Sequence, residues 1–112
     1  RRNGKLDYIE MQAAAGTIDS VKSFYASAFG WTFTDYGAAY SAFDEGLDGG
    51  FDGSADKASK PLPVLFSTDL EASLEAVREA GGSIVKPIYA FPGGRRFHFT
   101  DPAGNELAVW AE

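Results

Sequence analysis

Apolar positions recur with two different periods along this 112-residue chain, and the switches between them divide it into elements. From Leu6 to Ala14 they alternate, with Ile9, Met11 and Ala13 on one side and Leu6, Tyr8, Glu10 and Gln12 on the other, which predicts a first strand. Gly16 breaks the run. Thr17 then stands as the N-cap of a helix in which Ile18, Val21 and Tyr25 return at helical spacing, and Gly30 supplies the left-handed stop after Phe29. Three short aromatic segments follow, Trp31 to Tyr36, Ala39 to Phe43 and about Gly46 to Phe51, and they read as a meander of strands.

The stretch Asp52 to Lys60 is polar, small and aperiodic, so it is expected to be a loop or linker. Beyond it Leu62 to Ser67 has the length and apolarity of a strand. Thr68-Asp69-Leu70-Glu71 carries the spacing of a capping box, and Leu70, Leu74 and Val77 make the apolar stripe of a second helix. Glu71, Glu75, Arg78 and Glu79 form its wet side, and Gly81-Gly82 its stop. Ser83 to Phe91, interrupted by Pro87, predicts a bent or edge strand. The chain ends in a hairpin. Phe97 and Phe99 lie on one side of Asp101-Pro102-Ala103-Gly104, Leu107 and Val109 on the other, and the turn offers a fixed φ followed by a residue that tolerates φ > 0.

Both halves therefore read strand, helix, three strands. The helix caps at Thr17 and Asp69 and the stops at Gly30 and Gly82 share an offset of 52 residues. A βαβββ unit leaves one sheet face that a single copy cannot cover, so two copies must pair, within a chain or between chains. The expected class is α+β, with a module over about 6–51, a linker over about 52–61 and a second module over about 62–112, all in one domain.

Composition narrows the chemistry. Apolar residues make up 45% of the chain and charged residues 23%, as in a globular protein. No apolar run approaches the roughly 20 residues of a membrane span, and Arg1-Arg2-Asn3-Gly4 is not followed by a signal-peptide core, which leads to an expectation of a cytoplasmic protein. There is no cysteine, hence no disulfide and no thiolate nucleophile or ligand. The net charge is −6 with scattered positive residues, which argues against nucleic acid as a partner. The pair Arg95-Arg96 is read as solvated charge at the start of the hairpin.

Phe24-Tyr25 with Phe29-Gly30-Trp31, then Asp69-Leu70-Glu71 through Gly81-Gly82, then Asp101-Pro102-Ala103-Gly104-Asn105 follow one another in an order and spacing that resembles the glyoxalase, bleomycin-resistance and extradiol-dioxygenase group, the vicinal oxygen chelate superfamily. The resemblance spans Leu6 to Trp110. It implies a mixed sheet curled around a cavity with the helices outside and, in many members, a divalent metal held by His and Glu from the first, fourth, fifth and eighth strands. Carried onto this chain, those positions fall on Tyr8, on the segment Leu47 to Gly50 with Asp48 as its one oxygen ligand, on Leu62 and on Ala108. Leucine and alanine cannot bind a metal, so no metal and no cofactor is expected.

If Ala108 faces the cavity, the two-residue period brings Glu106 and Trp110 with it, and Tyr8, Glu10 and Gln12 on the first strand and Leu62, Val64 and Phe66 on the fifth line the same space. Phe97 and Phe99 take the core side, which turns His98 inward. His98 is the only histidine. Near two carboxylates it is expected to favour its charged form, and with Glu106 or Glu10 it is the candidate acid–base group. Tyr8, Trp31 and Trp110 are read as packing residues. The expected function is metal-free binding of a small hydrophobic or aromatic molecule by a homodimer. The alternatives are a metal-dependent lyase or dioxygenase with unfamiliar ligands, and a metal-free isomerase or lyase using His98 and Glu106.

Overall fold

The computed structural model describes residues 1–14, 16–54 and 60–112. They form two compact units, one of residues Tyr8–Leu62 and one of Arg1–Asp7 with Pro63–Glu112.

In the first unit β1 (Leu6–Gln12) leads to helix α1 (Ile18–Phe29), and β2 (Thr34–Asp35), β3 (Tyr40–Asp44) and β4 (Asp48–Asp52) follow. The sheet order is β2-β3-β4-β1, antiparallel within the meander and parallel between β1 and β4. Alternation along β1 divides its side chains as expected: Ile9, Met11 and Ala13 pack under α1 with Ile18, Val21, Tyr25, Phe43 and Phe51. Trp31 and Phe33 are not strand residues. Their rings enter this core instead, Trp31 stacked on Tyr25 at 4.7 Å, and pairing begins only at Thr34.

In the second unit β5 (Leu62–Phe66) leads to helix α2 (Leu70–Glu79), then β6 (Ser83–Phe91), β7 (Gly94–Thr100) and β8 (Glu106–Ala111). The order here is β5-β8-β7-β6, with β5 parallel to β8 and both hairpins antiparallel. Leu70, Leu74, Phe97, Val109 and Ala111 form the core beneath α2. The α+β class and the repeated βαβββ order are thus those expected. Gly4 and Lys5 add backbone hydrogen bonds to the end of β5, at 2.8 Å and 3.1 Å to Phe66.

The helix ends correct three details. Thr17 holds the N-cap position of α1, but its hydroxyl donates back to the Ala14 carbonyl at 2.6 Å and makes no cap bond. No capping box runs from Thr68 to Glu71. Asp69 is the cap, accepting from the Ala72 amide at 3.1 Å, while the Thr68 hydroxyl turns to Asn3 and Glu71 pairs with Arg95 at 2.6 Å. The starts of the helices keep the offset of 52, yet α2 stops at a cap on Ala80, before Gly82, whereas α1 runs to its left-handed cap at Gly30, φ 73°. Of the expected linker, residues 55–59 lie outside the described residues.

Candidate functional site

Each unit carries a polar cluster on the sheet face opposite its helix. In the first, β1 turns Tyr8 and Glu10 away from α1, and Tyr40 reaches them from β3. The Tyr40 hydroxyl donates to Glu10 Oε2 at 3.3 Å and is hydrogen-bonded to the Tyr8 hydroxyl. Gly50 makes room for this, since a Cβ there would stand 2.5 Å from two carbons of the Tyr40 ring. Burial, reinforced by Tyr8 and Glu10, pushes the Tyr40 hydroxyl well above the usual phenol range, so it stays a donor. Gln12 follows on the same face, and its buried Nε2 has no hydrogen-bond partner.

In the second unit Phe97 and Phe99 pack under α2, and the pleat sends His98 to the opposite face, where it is 2% exposed. Its Nδ1 meets Glu106 Oε2 at 2.9 Å and its Nε2 meets the Tyr89 hydroxyl at 2.9 Å. Arg96 Nε donates to the same Tyr89 oxygen. Contrary to the expectation from two nearby carboxylates, His98 is held below the ordinary histidine value. Burial is the main cause, Arg96 and Lys86 add to it, and the Glu106 hydrogen bond opposes them.

Those bonds assign the tautomer. A carboxylate only accepts, so Nδ1 carries the proton of a neutral ring, and Nε2 then accepts from the Tyr89 hydroxyl. Tyr89 in turn accepts from Arg96. Cross-strand register extends the site into two rows: Tyr89, Arg96, Trp110 and Phe66 lie side by side, and Lys86, His98, Ala108 and Val64 beside them. Trp110 packs edge-on to Phe66 at 5.3 Å, donates its indole N–H to Asp7 at 3.0 Å and lies under Arg1. It is therefore more than packing. Nor is the arginine pair simply solvated, since Arg95 holds Glu71 and Arg96 holds Tyr89.

Glu10 belongs to the Tyr40 cluster and Glu106 to the His98 cluster. Leu62, Val64 and Ala108 are buried apolar side chains. Tyr40, Tyr89 and Arg96 were not among the residues expected from the sequence. Arg96 stands two residues before His98 and so was accessible to the strand period. Tyr89 was not, because β6 slips register twice, between Ile84 and Lys86 and between Lys86 and Tyr89.

The family model described as the glyoxalase/bleomycin resistance protein/dioxygenase superfamily matches residues 5–109. The chain belongs to this superfamily. Solved structures of the superfamily's fold agree. A superfamily member from Vibrio splendidus superposes with TM-score 0.75 at 16% identity, covering 96% of this chain and 100% of that one. Methylmalonyl-CoA epimerase from Mycobacterium tuberculosis gives 0.70 at 13%, covering 95% and 86%. The Mn(II)-bound glyoxalase from Novosphingobium aromaticivorans gives 0.67 at 21%, covering 98% of this chain and 39% of that one. A comparison with curated proteins finds no match.

The positions that the resemblance assigns to metal ligands carry few donors. Tyr8, Leu62 and Ala108 provide a phenol and two hydrocarbons, and Asp48 is an exposed residue of β4. Among the described residues no three His, Cys, Asp or Glu side chains gather to hold a metal ion. A divalent centre does not fit this set. Among the described residues no helix is long and apolar enough to cross a membrane.

Proposed function

We propose that this superfamily member binds a small, partly aromatic molecule, without a metal, on the face of its second unit opposite α2. The observation that carries this reading is the row Tyr89, Arg96, Trp110, Phe66, which sets π surfaces and a guanidinium beside the His98–Glu106 pair. Rings offer area at small entropic cost, while the Arg96 guanidinium supplies orientation. Val64 and Ala108 form the apolar floor of the next row. On the first unit's own face Tyr8, Glu10, Gln12 and Leu62 are the proposed contacts, with the unpartnered Gln12 amide as a donor for a ligand carbonyl or carboxylate.

The test is titration with a panel of phenols and aromatic acids, followed by tryptophan emission. Saturable quenching is expected, and it should vanish in Trp110→Phe, while Trp31 in the first core serves as the internal reference. A panel that gives no saturable change rejects the reading.

One observation favours a second reading, a metal-free isomerase or lyase: His98 is buried, neutral and hydrogen-bonded to a carboxylate, the arrangement of an acid–base pair. In that case His98→Gln and Glu106→Gln abolish turnover while leaving ligand quenching in place. Turnover that survives both substitutions removes it.

A further inference from the structure

His98 is the obvious acid–base candidate, yet its surroundings argue that it cannot touch a ligand. Both ring nitrogens are committed, Nδ1 to Glu106 and Nε2 to Tyr89, and the side chain is 2% exposed. Tyr89, by contrast, is only partly buried, and its oxygen can accept a second hydrogen bond besides that from Arg96. At the other end Glu106 is 37% exposed and meets solvent. The four groups thus run in one direction: Arg96 donates to Tyr89, Tyr89 to His98, and His98 to Glu106.

Resting on the binding face proposed above, we infer that these residues form a proton relay whose ligand-facing end is the Tyr89 hydroxyl and whose solvent-facing end is Glu106, serving a ligand with an acidic hydroxyl of the phenol or enol class. The ligand O–H breaks as its proton goes to the Tyr89 oxygen. The proton already on Tyr89 passes to His98 Nε2, and the Nδ1 proton passes to Glu106 Oε2. One proton leaves the ligand and one arrives at the carboxylate, with the buried imidazole neutral before and after. The ligand anion is left beside the Arg96 guanidinium and near Lys86, the cross-strand partner of His98. His98 is then a positioning and conducting residue, and Tyr89 the group in contact.

Two measurements test this. Because the chain has one histidine, the ring nitrogen signals of 15N-labelled protein need no assignment, and their couplings to the ring protons separate Nδ1 from Nε2. Without ligand at neutral pH the expected state is neutral with the proton on Nδ1; an imidazolium, or a proton on Nε2, overturns the relay. The second probe is 4-nitrophenol, at a pH where the free compound is protonated. Bound to the parent protein it should show phenolate absorbance. His98→Gln keeps an acceptor and a donor but cannot pass a proton on, and Glu106→Gln cannot receive one, so both should bind the probe as the phenol. Tyr89→Phe should also lose the phenolate band. Undiminished phenolate in His98→Gln or Glu106→Gln overturns the relay. A parent protein that binds no nitrophenol overturns the ligand class along with the binding face, whereas the tautomer decides the relay on its own, so the two failures are told apart.

Discussion

The core of the first unit is built from rings, and that of the second from branched aliphatic side chains around one fully buried phenylalanine. Under α1, Tyr25, Trp31, Phe33, Phe43 and Phe51 touch one another at centroid distances of 4.7–6.4 Å, and α1 itself has no fully buried residue. Under α2, Leu70 and Leu74 are buried and press on Phe97 and Val109. Both helices dock through an apolar stripe, but that of α1, Ile18, Val21 and Tyr25, stays partly exposed against the rings, while Leu70 and Leu74 of α2 are buried. The same βαβββ order is thus met by two packing solutions, and the polar faces diverge as well, to a tyrosine pair on Glu10 in one and a histidine held between Glu106 and Tyr89 in the other.

The largest contrast is expected from truncating the two cores. Phe97 is 0% exposed with Phe99 as its ring neighbour, so Phe97→Ala should cost about 3–5 kcal/mol in urea unfolding. Phe43→Ala should fall below it, because Trp31, Phe33 and Phe51 can close on the gap. Equal losses would mean that the aromatic cluster is as rigid as the aliphatic one. Next comes Gly50→Ala, whose methyl displaces the Tyr40 ring and should cost about 1–3 kcal/mol by overpacking. Ultraviolet difference spectra of the tyrosines should shift with it, and an unchanged spectrum would contradict the contact.

Smaller still is the difference between the helix starts. Asp69→Ala removes a real cap bond and should cost about 1 kcal/mol, whereas Thr17→Ala removes none and should cost a few tenths by the same thermal or denaturant measurement. Last is a slope. A His98 held below its unfolded value takes up its proton more readily in the unfolded chain, so its contribution is complete above about pH 6.5 and declines as pH falls through that value. His98→Gln should flatten stability between about pH 7 and 5. The lowered carboxyls of Asp35, Glu71 and Asp101 act in the same direction, but only nearer pH 4, so the two windows separate.

Much of this could be read along the chain because periodicity is a local property. Ile9, Met11 and Ala13 against Tyr8, Glu10 and Gln12, and Phe97 and Phe99 against His98, followed from the pleat alone. The left-handed stop at Gly30 and the Asp-Pro-Ala-Gly turn also needed only their own residues. Where several residues compete for one role, the reading failed. Asp69 is the cap of α2 as expected, but whether Thr17 makes a cap bond and whether Thr68 and Glu71 close a capping box depends on where Ala14, Asn3 and Arg95 lie in space. Arg96, two residues before His98, lies within the strand period although the sequence reads it as solvated charge, whereas Tyr89 lies beyond the register slips of β6.

By itself the sequence determined the α+β class, the two modules and which side of each strand is apolar, since all of these depend on residue type and local spacing. Tertiary structure decided the rest. That burial outweighs the Glu106 hydrogen bond and holds His98 below the ordinary histidine value, and that the Tyr89 hydroxyl sits between His98 and Arg96, are matters of burial and cross-strand contact. Burial and contact between strands distant in sequence are set by the whole fold, and the electrostatics of His98 follow from them.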